Sequence, residues 1–319
     1  MMDYTIFYKK TLSVKEEGED WEGWEESWDL FLSAYNLSER VKGVYEHVNA
    51  AEKLWLIQPD YNFSEKDYPS EEKFISTIME ERGYIKDLLS KLDGKLIGKK
   101  VCIDITGFIK PFMMALFYEL YALKVKSVDV IYSEPGKYEK KEETKFSSEF
   151  VREVAQVDGF MGNHEIDMSN DLLIIGAGYD DQLISQVAKD RAHCRKVLVY
   201  GLPSLRPDMY QENLLNVSQA SEAVDVEEVG VRKFAPANDP FVTAQSLQEI
   251  CAEENEVKKV TNIYLSPLAT KPQALGFTLF YLFECQGKGV SMIYPYCDLH
   301  SKKTSEGISR IWKYVIEFP

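Results

Sequence analysis

The chain has 319 residues, 45% of them hydrophobic and 28% charged, and 52 acidic against 37 basic side chains give a formal charge of −15. That length holds one large α/β domain or two medium ones, with a core that needs no disulfides or metals. The composition excludes disordered, collagen-like and coiled-coil classes. The charge excludes a general nucleic-acid binder, which would present basic surface, but leaves room for a small anion in a local cleft.

Taken from the N-terminus, residues 1–28 form an acidic segment in which Trp21, Trp24 and Trp28 recur at helical spacing, predicting a short amphipathic helix or lid. The next stretch reads as strand 29–35, a helix over 36–50 opened by Ser38, and strand 53–58. A Pro- and Asp-rich loop follows, then a helix near 70–92. Strand 99–107, an apolar helix over 111–123 and strand 125–133 complete a first half, 29–135. The mixed charges of 136–145 mark a loop, and 146–160 alternates like an antiparallel ribbon, so 136–170 reads as an insertion. The second half, 171–319, repeats the alternation: strand 171–178, helix 180–192, strand 196–203 and a helix from about 207 to 217. A helix capped by Asp239 with Pro240 in its first turn, strand 262–267, an apolar helix over 272–285 and strands 289–296 and 308–318 follow. The expected fold is α/β: two Rossmann-like halves with mainly parallel sheets, helices on both faces, and a β-ribbon insertion.

No segment approaches the roughly eighteen apolar residues of a membrane span. The N-terminus lacks the charged-then-apolar order of a signal peptide. Cys102, Cys194, Cys251, Cys285 and Cys297 are scattered, which suits a reduced, cytoplasmic protein.

One internal echo carries chemistry. Residues 103–117 and 263–277 both run strand, small polar loop, Lys-Pro, apolar helix, with Ala115 and Gly276 at matching positions after Lys110 and Lys271. A small residue there predicts close packing of the helix on the sheet. A lysine beside a helix N-terminus attracts phosphate or carboxylate. Two such units, one per half, predict a shared cleft that grips an anion. Asp104 and Thr106 belong to the first loop, Ser266 and Thr270 to the second.

Further loops at strand ends supply Asn36, Ser38 and Arg40, and the segment 174–182 supplies Gly176, Gly178, Tyr179, Asp180 and Asp181. The last is not a dinucleotide fingerprint, because Asp181 stands where the third glycine belongs. Its acids suit a ribose hydroxyl, a base edge or a metal ion better than a phosphate, or simply cap the next helix. No GxSxG, HExxH, CxxC pair or Walker motif is present, and Cys297 with His300 lacks a second ligand pair, so no metal or cofactor is expected.

The segment LSPLATKPQALGFTLFYL (265–282) resembles the Thr-Lys-Pro strand–loop–helix of CARF-type Rossmann sensor domains, which bind cyclic oligonucleotides in prokaryotic antiviral signalling. DITGFIKPFMMAL (104–116) resembles the same element, and a chain with two such units resembles the SAVED domain, two fused CARF-like halves. The resemblance implies phosphate contacts from Thr270, Lys271, Thr106 and Lys110, although Ala269 replaces the family's glycine before Thr-Lys. The expected function is therefore binding of a nucleotide-like anion, as a sensor or subunit of a defence or signalling system. Two alternatives stay open. One is an enzyme on a phosphorylated nucleotide or sugar with Asp104 or Asp180 handling protons. The other is an interaction component that docks a protein partner or a second copy of the chain.

Overall fold

The computed structural model describes residues 2–12, 26–138, 151–178, 180–206, 211, 232–297, 301–302 and 305–319. In chain order the elements begin with β1 (Tyr8–Leu12), β2 (Trp28–Ala34), α1 (Glu39–His47), β3 (Ala50–Leu56) and β4 (Lys73–Phe74). Next come α2 (Glu81–Leu92), β5 (Val101–Asp104), α3 (Lys110–Ala122) and β6 (Ser127–Tyr138). Then follow β7 (Val151–Gln156), β8 (Leu172–Gly176), α4 (Asp181–Asp190), β9 (Arg195–Gly201) and β10 (Lys233–Ala235). The chain ends with α5 (Pro240–Val257), β11 (Ile263–Pro267), α6 (Lys271–Phe280), β12 (Val290–Cys297) and β13 (Ser305–Glu317). They fall into two compact units: residues 7–147 with 299–319, and residues 1–6 with 148–298.

The sheet of the first unit runs β1-β13-β6-β5-β2-β3-β4, and that of the second runs β10-β9-β8-β11-β12-β7. β2 to β6 are parallel to their neighbours, as are β8 to β12, while β1, β13 and β7 pair antiparallel. Numbered by their own parallel strands, both sheets therefore read 3-2-1-4-5 with an antiparallel strand beyond the fifth. This is the Rossmann-like order. Right-handed crossovers that run outward in opposite directions from the first strand must lie on opposite faces. That places α1 opposite α2 and α3, and α4 opposite α5 and α6. The contacts agree, because α2 packs with α3 and α5 with α6.

The central strands β5 and β8 are buried along their whole length, which is why they read as unbroken apolar runs. Prolines in the first turns of α3, α5 and α6 fit positions where an amide donor would lack a partner. Among the described residues no helix is long and apolar enough to cross a membrane, and all five cysteines are free thiols.

Several expectations need correction. Trp28 is not on a helix; it opens β2, and its buried indole donates to Asp129 at 2.8 Å. Trp21 and Trp24 lie outside the described residues, as do most of the charged loop and the helix expected over 207–217. The helix expected from residue 70 starts at Glu81, because Phe74 is drawn into pairing with Leu56 and packs edge-on against Tyr84. The antiparallel 151–156 segment is an edge strand on β12 rather than a separate ribbon. The final strand does not close the second half but returns to the first sheet, between β1 and β6. Gly276 faces a helix rather than the sheet, since a Cβ there would lie 2.4 Å from the Pro240 carbonyl oxygen at the start of α5.

A buried ion cluster holds the returning strand. Lys313 is only 5% exposed and donates to Asp129 at 2.9 Å and also to Glu26, which accepts from Lys10 of β1 as well. Removing one partner from a buried pair strands the other charge. Asp129→Ala should therefore cost about 3 kcal/mol, read as a lower urea midpoint. A midpoint unchanged from wild type would show that Glu26 alone satisfies Lys313.

Candidate functional site

In sheets of this order, ligands bind beyond the carboxyl ends of the strands where the first and fourth parallel strands diverge. In the first unit that point lies between β2 and β5, whose register sets Ser33 opposite Asp104. The two departing loops touch through their backbones. A Cβ on Gly107 would sit 1.9 Å from the Ala34 carbonyl oxygen, so only glycine fits.

Five residues singled out in the sequence meet here. Asp104, fully buried, accepts from the Ser33 hydroxyl at 3.1 Å and from the Thr106 amide at 2.9 Å. The Thr106 hydroxyl accepts from the Ser133 amide at 2.9 Å, and the Ser133 carbonyl takes an Arg40 guanidinium hydrogen bond at 2.6 Å. Asn36 accepts from the Ser38 amide at 2.9 Å and donates to Tyr61, which in turn donates to the Gly107 carbonyl at 2.8 Å. Gln58 accepts from the amide of Ile109, the cap residue of α3, at 2.8 Å.

The network is incomplete. Ser38 Oγ, Arg40 Nε, Gln58 Nε2 and Ser133 Oγ are buried with no hydrogen-bond partner among the described residues. Such atoms are costly unless something else satisfies them. Ser38 occupies the N-cap of α1 yet its side chain makes no cap bond, leaving its hydroxyl buried at the start of the helix. Beside it stands an aromatic wall: Tyr35 and Phe63 have ring centroids 5.2 Å apart, and Tyr61 lies 5.8 Å from Phe63. The C-terminal segment reaches the same edge. The Lys302 carbonyl accepts from the Leu37 amide at 2.9 Å, and its ammonium sits 4.6 Å above the Phe63 ring while donating to Asn62.

Burial pushes the Asp104 carboxyl up to about 6, against hydrogen bonds from Thr106 and Ser33 and the charge of Arg40, which pull it down. Burial likewise pushes the Tyr61 phenol up to about 12.

In the second unit the corresponding point lies between β8 and β11, with Gly176 opposite Pro267. There the close approach falls on Gly178, whose Cβ would meet the Leu268 carbonyl oxygen at 2.3 Å. A Cβ on Gly176 would lie 3.1 Å from the Phe277 ring. Asp180 caps α4, accepting from the Leu183 amide at 3.2 Å, and Asp181 is the first residue of that helix. Thr270 caps α6 and donates to the Ala237 carbonyl, tying its own loop to the neighbouring one. Ser266 is buried with an unpartnered hydroxyl. Tyr179 lies outside the described residues.

Lys110 and Lys271 occupy equivalent places, each half-buried and first in the helix after the fourth parallel strand of its sheet. The echo in the sequence is thus an echo of topology. Ser33, Gln58, Ser133 and Lys302 were not singled out beforehand. Gln58, between a strand and Pro59, carried a readable signal as a polar residue at a strand's carboxyl end; the others needed the sheet register or a long-range return of the chain.

No protein-family model matches the chain, and no curated protein matches it. Among solved structures, a ketoreductase domain from the bacillaene assembly line is similar at 11% identity with a TM-score of 0.19, over 82% of this chain. The chain spans 61% of that structure's length, and a likeness this low carries neither fold nor function.

The Asp104 carboxyl gives a signed prediction. Its folded value near 6 lies above the ordinary 3.8, so the folded state holds a proton that the unfolded chain has already lost between those values. Its contribution to stability is therefore full below about pH 4 and is lost as pH rises through 6, roughly 3 kcal/mol in all. Asp104→Asn should lack this decline in urea melts taken from pH 4 to 7. A wild-type-minus-variant difference that stays flat across that range would contradict it.

Proposed function

We propose that the protein is a binding module for a nucleotide-like anion, taken at the carboxyl edge of the first unit's sheet. The observation that carries this reading is the set of four buried polar atoms on Ser38, Arg40, Gln58 and Ser133, unpartnered among the described residues, near the divergence of β2 and β5. A folded protein rarely leaves such atoms unsatisfied. Arg40 supplies a fixed positive charge suited to phosphate, and Ser38 a hydroxyl at a helix start. The role of sensor or subunit in a prokaryotic defence or signalling system rests on the resemblance of the 104–116 and 265–282 segments to CARF-type elements, with a cyclic oligonucleotide as the implied ligand class.

A second reading is an enzyme acting on a phosphorylated nucleotide or sugar. It is favoured by a carboxyl at the same edge held near 6, a value suited to general acid–base work. In that reading Asp104 moves the proton and Arg40 holds phosphate, while Asp180 is already engaged as a cap.

Thermal-shift and calorimetric titration of the full chain against mononucleotides, dinucleotides and cyclic oligonucleotides tests the first reading. A ligand should raise the melting temperature, and Arg40→Lys should weaken it at least about tenfold by removing the planar fork. If no member of the panel shifts the wild type, the four atoms are met by water and the proposal fails. Mass spectrometry of the incubated panel separates the two readings: turnover abolished by Asp104→Asn with binding retained selects the enzyme.

A further inference from the structure

The opposite, amino-terminal edge of the second unit's sheet holds a different constellation. Asp171, the residue before β8, has a fully buried side chain. Its Oδ1 accepts from the Asn262 amide at 3.1 Å, from Asn262 Nδ2 at 2.9 Å and from the Thr261 hydroxyl at 2.5 Å. Those donors, just ahead of β11, fix the carboxylate plane and leave Oδ2 pointing elsewhere. Oδ2 lies 3.3 Å from His193 Nε2, and that nitrogen lies 3.5 Å from the Cys194 sulfur. His193 and Cys194 are the two residues before β9, so two adjacent strand starts bring an oxygen, a nitrogen and a sulfur donor within 4.8 Å of one another.

Around tetrahedral Zn²⁺, with bonds of about 2.0 Å to O and N and 2.3 Å to S, neighbouring donors stand about 3.3 Å apart for N and O and about 3.5 Å for N and S. The two separations seen here fall on those edges. A second shell that anchors the ligating carboxylate is what such sites use to hold geometry, and Asn262 and Thr261 provide it. We propose that Asp171, His193 and Cys194 form a binding site for a zinc-class divalent transition metal. The sulfur and imidazole select Zn²⁺ over the hard cations Mg²⁺ and Ca²⁺. Three protein donors leave the fourth position to water, and the His193 side chain, 43% exposed, marks the side from which metal and solvent enter. On binding, the Cys194 S–H bond gives way to an S–Zn bond and one proton leaves to solvent; no electron moves.

The test uses the full, untagged chain, stripped with chelator and titrated with Co²⁺ alone and then Zn²⁺ alone. One equivalent of Co²⁺ should produce a sulfur-to-cobalt charge-transfer band with tetrahedral ligand-field absorption, and one equivalent of Zn²⁺ should bleach both. Cys194→Ser should abolish the charge-transfer band. His193→Ala, at a partly exposed position, should keep the metal-free melting temperature yet weaken Co²⁺ at least about tenfold. Absence of the band in the wild type would overturn the proposal. So would its survival in Cys194→Ser, which would assign the metal to another cysteine, or an unchanged affinity in His193→Ala.

Discussion

Backbone-to-backbone contact at the two divergence points governs much of this architecture. Where the first and fourth parallel strands part, the loops that leave them must either spread apart or press together. Here they press, with Gly107 against the Ala34 carbonyl in one unit and Gly178 against the Leu268 carbonyl in the other. The glycine sits on the fourth-strand loop in the first unit and on the first-strand loop in the second, so the same closure is reached from opposite sides. Side chains flanking each contact are then forced inward. In the first unit that gathers Asp104, Arg40, Asn36 and Thr106 into one buried network; in the second, Ser266 apart, the polar groups are engaged by helix caps and loop ties.

The two units differ most in how complete their hydrogen bonding is. Thr270, Gln273, Asp180 and Asp239 all meet backbone partners, so the carboxyl edge of the second sheet is largely self-satisfied. The edge of the first sheet carries a buried guanidinium nitrogen, two hydroxyls and an amide nitrogen without hydrogen-bond partners among the described residues. Equal topology thus comes with unequal satisfaction of buried polar groups at the two carboxyl edges.

Strand and helix alternation was legible because buried parallel strands such as Val101–Asp104 and Leu172–Gly176 are continuous apolar runs between punctuated helices. Asn36, Ser38, Arg40, Asp104 and Thr106 were legible for a related reason: polar residues on loops that directly follow such strands converge at one edge. Ser33 and Ser133 were hidden because their place depends on pairing register, which a single sequence does not encode locally. Lys302 and the β13 strand were hidden because pairing between Ser305–Glu317 and Ser127–Tyr138 spans most of the chain. Trp28 misled because its spacing with Trp21 and Trp24 fits a helix, whereas its burial beside Asp129 is decided by the sheet. The three metal-donor residues offered no spacing signal, since Asp171 joins His193 and Cys194 only when neighbouring strands align their starts.

The ends of the polypeptide are exchanged between the units. Met2 and Tyr4 pack with Gln248 and Phe283 of the second unit, while the last strand belongs to the first. During synthesis the first sheet therefore waits for residues 305–317, holding the long Ser127–Tyr138 edge without its antiparallel neighbour while the second unit is made. An open strand edge of that length invites wrong partners.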